Sequence, residues 1–284
     1  MMVFHECSKQ LCMWMNKQPH VKEESLTDWL LYAVSERCPQ IYYQTFSRHE
    51  EAENGCDWEW WILTSDQYET WKYNAYRFLV QAKKLYAQNR DNYSLLNYGN
   101  RNGSQIDLLI QEAAQRNALP LYMYYSVEKA DVEEQIKNNL WLDEETVRWC
   151  AACVNGGYLS LAQEVHKMLY GVPRHKLPTV ELLNHALKLS LVDLIFKKDS
   201  EQIMSHFNRM IIEKYPNYYM YKIENEGKFP NIGKVSGVAG IKHSGSGIPD
   251  YLRVFLQSQG EKKDWFEKEM KISHIGGMGV IDLR

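Results

Sequence analysis

Gly55-Cys56-Asp57-Trp58-Glu59-Trp60-Trp61-Ile62-Leu63 and Tyr76-Arg77-Phe78-Leu79-Val80-Gln81-Ala82-Lys83 are the two stretches on which the fold turns. Both are short and rich in aromatic and β-branched residues, so 57–63 and 76–83 read as strands. Asn54-Gly55 is a turn signal just ahead of the first. Side chains alternate along a strand, so Asp57, Glu59 and Trp61 share one face of their strand, and Gln81 and Lys83 likewise share a face of theirs. If the two pair as antiparallel neighbours, the register can bring Asp57 level with Gln81 to Lys83.

Working outward, apolar positions Leu26, Trp29, Leu30, Ala33 and Val34 follow the i, i+3, i+4 pattern of an amphipathic helix over 24–37, stopped by Pro39. Residues 41–46 read as a short strand and 87–104 as a long loop. Ile106, Leu109, Ile110, Ala113 and Ala114 mark a helix over 105–116, and 120–125 is a further strand. The order is α-β-β-β-α-β. Its last β-α-β step requires a crossover and a parallel pair, hence an α/β fold. From Asp143 the pattern turns helical, with one helix closed by Gly156-Gly157 and others expected at 160–169, 179–196 and 200–214. The expected organisation is an α/β domain over 1–140 and a mainly helical domain over 141–284. Residues 227–249 are rich in Gly, Pro and Ser and read as loops.

Composition bounds the function. The 284 residues are 45% hydrophobic and 24% charged, ordinary globular values that exclude a disordered or fibrous chain. No apolar run approaches the roughly 20 residues of a membrane span, and the N-terminal residues lack a secretory pattern. Six scattered cysteines fit reduced thiols, and a cytoplasmic protein is expected. Net charge is −3, yet residues 1–150 carry 15 basic and 22 acidic residues, and residues 151–284 carry 18 and 14. An acidic half suits a cation site, and a mildly basic half suits a polyanion. Scattered surface charge is the plainer reading.

An acid, an amide and an amine converging on one point have a chemical use. A hard cation such as Mg²⁺ takes oxygen ligands, usually one or two of them protein carboxylates. It polarises a phosphodiester and lowers the pKa of bound water. A lysine beside it orients that water and offsets charge developing in the transition state.

The α-β-β-β-α-β order with Asp57 and then Gln81-x-Lys83 resembles the PD-(D/E)xK, or restriction-endonuclease-like, nucleases. More narrowly, Glu50, Gly55-x-Asp57-Trp58-x-Trp60-Trp61 and Gln81-Ala82-Lys83-Lys84 are similar to a bacterial family that carries this nuclease core and is met among phage-defence genes. The resemblance covers residues 23–126. It implies a nuclease of DNA dependent on Mg²⁺ or Mn²⁺, with Asp57 as metal ligand and Lys83 as the motif lysine. Gln81 stands where the motif usually has Glu, which removes one negative charge. A glutamate is then expected to complete the site: Glu50 first, Glu24 on the first helix next, with Glu59 a further option. A homodimer or a defence-system partner protein is the expected assembly. The lost carboxylate leaves open a catalytically inactive module that binds nucleic acid or a partner, and a third option is an enzyme of small phosphate esters.

Other features have plainer readings. Trp58, Trp60 and Trp61 are core residues, with base stacking the alternative. Gln105 reads as a helix-start or surface residue, with assistance to the site as the alternative. Cys150-Ala151-Ala152-Cys153 lacks a second pair for zinc. Gly233–Gly247 reads as a surface loop and does not match a P-loop.

Overall fold

A computed structural model describes residues 2–45, 56–65, 72–86, 93–100, 103–138, 144–145, 148, 154–171, 177–196, 221–224, 249–257 and 277–283. Two helices open the chain, α1 (Val3–Lys17) and α2 (Glu23–Arg37). Strands β1 (Ile41–Thr45), β2 (Trp58–Ser65) and β3 (Lys72–Lys84) follow. Next come α3 (Gln105–Gln115), β4 (Leu119–Tyr125) and α4 (Val132–Asn138). Then come β5 (Gly157–Leu161), α5 (Ala162–Gly171), α6 (Thr179–Asn184) and β6 (Leu187–Lys188). A 3₁₀ helix at Leu189–Phe196, β7 (Tyr221–Glu224), α7 (Asp250–Gln257) and β8 (Gly277–Leu283) follow; a helical turn at Tyr93–Leu96 and a small antiparallel pair, Gly99–Asn100 with Gly103–Ser104, precede α3. The molecule is mixed α/β. Among the described residues no helix is long and apolar enough to cross a membrane.

Seven strands run in the order β1-β8-β2-β3-β4-β5-β6, and β7 pairs with the first residues of β3. The pairs β2/β3 and β4/β5 are antiparallel, and β3/β4 is parallel, as the β-α-β crossover requires. α3 makes that crossover. It ends where Asn117 takes a left-handed φ of 54°, and the Ala118 N–H closes onto the Ala113 carbonyl at 2.8 Å. All seven residues of β4 are buried, the signature of a strand covered on both faces.

The sheet divides the core in two. On one face Trp58, Trp60, Ile62, Phe78 and Val80 pack against Phe4, Leu11, Leu26 and Leu30 of α1 and α2. On the other, Trp61, Leu63, Leu79, Tyr122 and Tyr124 pack against Ile106 and Leu109 of α3, Val165 of α5 and Phe255 of α7. The three tryptophans are thus core, exposed by 5% or less.

Strands occur well beyond residue 140. The expected helix over 160–169 is preceded by β5, which uses Gly157 as its first residue. The expected helix over 179–196 is broken into α6, β6 and the 3₁₀ helix. The expected helix over 200–214 lies outside the described residues. Gly156 has a packing role: a Cβ there would stand 2.8 Å from the Ser8 carbonyl oxygen and 2.9 Å from the Cys12 Cα. The Ser8 hydroxyl accepts the Gly156 and Gly157 N–H groups at 3.0 and 3.1 Å, fastening α1 to the start of β5.

The least expected strand is β8. It lies between β1 and β2, antiparallel to the first and parallel to the second. Its glycine is dictated by a neighbour. A Cβ on Gly279 would stand 2.7 Å from the Trp60 indole, which lies across it.

Candidate active site at the shared end of β2 and β3

In the β2/β3 ladder Trp58 faces Val80, and the Asp57 N–H extends the pairing by donating to the Val80 carbonyl at 2.8 Å. That register sets Asp57 opposite Gln81. The Asp57 Oδ2 accepts two N–H groups, from the Gln81 amide Nε2 at 2.7 Å and from the Ala82 backbone at 2.6 Å. Gln81 is 1% exposed, while Asp57 is half-buried.

The amide of Gln81 continues into a chain. Its Oε1 accepts from Gln105 Nε2 at 2.8 Å. Gln105 is the first residue of α3, and its side chain turns inward to the strands instead of lying on the surface. Its own Oε1 is buried with no hydrogen-bond partner among the described residues. The Tyr122 hydroxyl, in the strand register next to Gln81, is likewise buried without a partner among them. Burial pushes the Tyr122 phenol well above its usual range, and the charges of Asp57, Asp107 and Glu23 add to that.

Lys83 lies two residues beyond Gln81 on the same face, and its Nζ is 3.6 Å from the Glu23 Oε1. The glutamate that reaches the site from the first turn of α2 is therefore Glu23. The expected Glu24 is exposed, one position round the helix and turned outward. The other oxygen of Glu23 accepts the Lys84 N–H at 2.5 Å. Burial raises the Glu23 carboxyl above its ordinary value, and Lys83 and the Lys84 N–H pull it back only in part. Lys84 points to the opposite face, where its Nζ donates to the Pro19 and Val21 carbonyls at 2.5 and 2.8 Å. It thereby ties the α1–α2 turn to the end of β3.

Two further expectations resolve differently. Glu59 shares the face of Asp57 but is fully buried in a structural network. It pairs with Arg77 at 2.8 Å, accepts from the Tyr251 hydroxyl at 2.5 Å, and accepts from the Trp61 indole N–H. Glu50, the first choice for the third acidic group, lies outside the described residues, as do Cys150-x-x-Cys153 and Gly233–Gly247. The described cysteines Cys7, Cys12, Cys38 and Cys56 are buried free thiols.

Among the described residues no three His, Cys, Asp or Glu side chains gather as metal ligands. In the structure the Asp57 carboxylate meets the Gln81 NH₂, and the Gln81 oxygen faces Gln105. Turning the Gln81 and Gln105 amides together keeps their mutual hydrogen bond. It also presents the Gln81 oxygen, in place of its NH₂, beside Asp57. Such a donor set is all oxygen and suits a hard divalent cation.

No curated protein matches the chain. A family model does match, described as a family of unknown function (DUF6615), and it covers residues 1–160. That stretch holds α1 through β4 together with Asp57, Gln81, Lys83, Glu23 and Gln105, and spans more than half of the 284 residues, so the chain belongs to this family.

Proposed function

We propose that the protein is a metal-dependent nuclease that hydrolyses DNA, with the α-β-β-β-α-β run from α2 to β4 as a restriction-endonuclease-like core. The observation that carries this reading is the meeting of Asp57 with Gln81 at 2.7 Å, two residues from a lysine paired with the half-buried Glu23. Asp57 and the Gln81 carbonyl oxygen would hold Mg²⁺ or Mn²⁺. The bound ion would supply a polarised phosphate and a water of lowered pKa. Lys83, fixed by Glu23, places a positive charge beside the scissile phosphate and orients the attacking water. The resemblance to phage-defence proteins makes a bacterial defence role, with a homodimer or partner protein, the setting we favour.

Plasmid cleavage in Mg²⁺ tests the reading. The wild type is expected to cut, EDTA to stop it, and Asp57→Ala and Lys83→Ala each to lower the rate by about a hundredfold or more. Equal activity in all three proteins rejects the assignment.

Glu23 gives the site a pH signature. Only its ionised form holds Lys83, and its carboxyl titrates above the usual range. Cleavage is therefore expected to fall as pH drops through that raised value. In Glu23→Gln the acid limb of the pH–rate profile should move to lower pH. An unmoved limb would separate Glu23 from the chemistry.

One observation favours a second reading. The Gln81 NH₂ already satisfies Asp57 without any cation, as expected of a nuclease fold kept only for binding. Calorimetric titration with Mg²⁺ or Mn²⁺ separates the two, since a module without chemistry shows no specific uptake at millimolar metal.

A further inference from the structure

We propose that a cleft beside the end of β3, separate from Asp57 and Gln81, binds a small aromatic carboxylate, its ring against Tyr86 and its anionic end toward the Lys84 ammonium. The cleft holds about 490 Å³, walled by Met15, Leu85 and Val127 with Asn16 at its edge. Met15 and Val127 belong to the core on the α1 and α2 side of the sheet. Lys84 points to that side, and Lys83 to the other. The site is thus distinct from the candidate active site, and its occupation does not depend on the nuclease reading.

The environment of Lys84 carries the inference. The residue lines the cleft and is 6% exposed. Its Nζ donates to the Pro19 and Val21 carbonyls at 2.5 and 2.8 Å and stands 4.8 Å from the centre of the Tyr86 ring. All three partners are neutral. Two other cations of β3 are treated differently: Arg77 meets the Glu59 carboxylate, and Lys83 meets Glu23. Among the described residues no carboxylate pairs with the Lys84 ammonium. Burial pushes that ammonium below its usual range, and the more distant charge of Glu23 offsets this only in part. Buried charges are normally paired, so the cleft wall calls for one negative charge. The donor count sets the class of ligand. An ammonium has three N–H donors, and two are committed to carbonyls. The third suffices for a carboxylate oxygen and is too little for a phosphate dianion. Sites for small organic molecules span about 300–1,000 Å³ and are mostly apolar. The remaining walls therefore suit a flat group of two fused rings, offset-stacked on Tyr86.

Calorimetric titration of the full chain with indole-3-acetate, indole-3-acetamide and acetate decides the matter. The first two share a ring and a shape and differ in charge, and the third lacks the ring. Carried out in EDTA, the titration needs neither metal nor cleavage. The wild type is expected to bind the acid tighter than the amide by about tenfold or more, the worth of a hydrogen bond to a charged group, and to take up no acetate at millimolar levels. Lys84→Met keeps the apolar stem and should bring the ratio of acid to amide to about one. Tyr86→Leu should weaken both ring ligands by about 2- to 12-fold. Asn16→Trp, an exposed position at the mouth, leaves Lys84 in place and should abolish binding, so the test stands even if Lys84→Met fails to fold. Circular dichroism checks each variant. Equal affinity of the wild type for acid and amide, no uptake of either at millimolar levels, or undiminished binding in Asn16→Trp overturns the inference. Asp57-dependent plasmid cleavage would in that case still stand.

Discussion

Glu59→Ala is expected to cost about 3–5 kcal/mol of stability, read as a lowered midpoint in urea or on heating. The carboxylate is completely buried and pairs with Arg77, which is 6% exposed and also donates to the Arg116 and Tyr251 oxygens at 2.8 Å each. Removing Glu59 strands a guanidinium where water cannot reach it. Replacing both partners, Glu59→Leu with Arg77→Met, should recover much of the loss, because an apolar pair leaves no charge uncompensated. A loss below about 1 kcal/mol for Glu59→Ala would mean that Arg77 is served by water or other groups. Since Tyr251 is on α7, the network also binds that late helix to the two strands that frame the site.

Gln81→Glu is the second large effect, and it turns on charge. In the native protein an amide NH₂ meets the Asp57 carboxylate at 2.7 Å. The variant sets two carboxylates at that distance, so one must take up a proton or both must share a cation. Without divalent metal the variant should lose about 1–3 kcal/mol at neutral pH, since a hydrogen bond to a charged group is replaced by repulsion. The sign follows from the raised folded pKa of the introduced carboxyl: stability is kept at low pH and lost as pH rises through that value. Millimolar Mg²⁺ should restore the melting temperature at neutral pH. Thermal melts over pH and Mg²⁺ report all of this, and a variant indifferent to both would show that Asp57 and residue 81 do not face one another.

The local ladder was legible because it depends on alternation and spacing alone. Strands at 57–63 and 76–83, a helix at 105–116 and a strand at 120–125 all lie within observed elements to within a few residues, and the parallel crossover pair is present. Alternation also put Asp57 and Gln81 together. It could not separate Asp57 from Glu59, because a shared face does not reveal that one residue stays half-exposed at the strand end while the other, two residues on, is buried under Tyr251 of α7. Helix phase failed in the same way between Glu23 and Glu24. One residue is a 100° turn, and which of two adjacent acids faces β3 depends on how α2 docks.

The role of Gln105 is hidden in the sequence because a polar residue at a helix start has a sufficient local explanation. Only the tertiary approach of α3 to β3 reveals its bond to Gln81. Phe4, Cys7, Leu11 and Met15 carry the periodicity of α1, whereas β8 is hidden by its glycines. Gly-Met-Gly reads as a breaker until the indole of Trp60 is known to need the space.

The position of β8 sets an order of assembly. During synthesis β1 and β2 emerge more than two hundred residues before the segment that fills the gap between them. Until then each presents an open row of backbone donors and acceptors, the kind of edge that recruits other chains. A protein truncated ahead of Gly277 would keep Asp57 and Gln81 in sequence yet leave that seam unzipped. Its solubility in the cell, more than its chemistry, would be the first casualty.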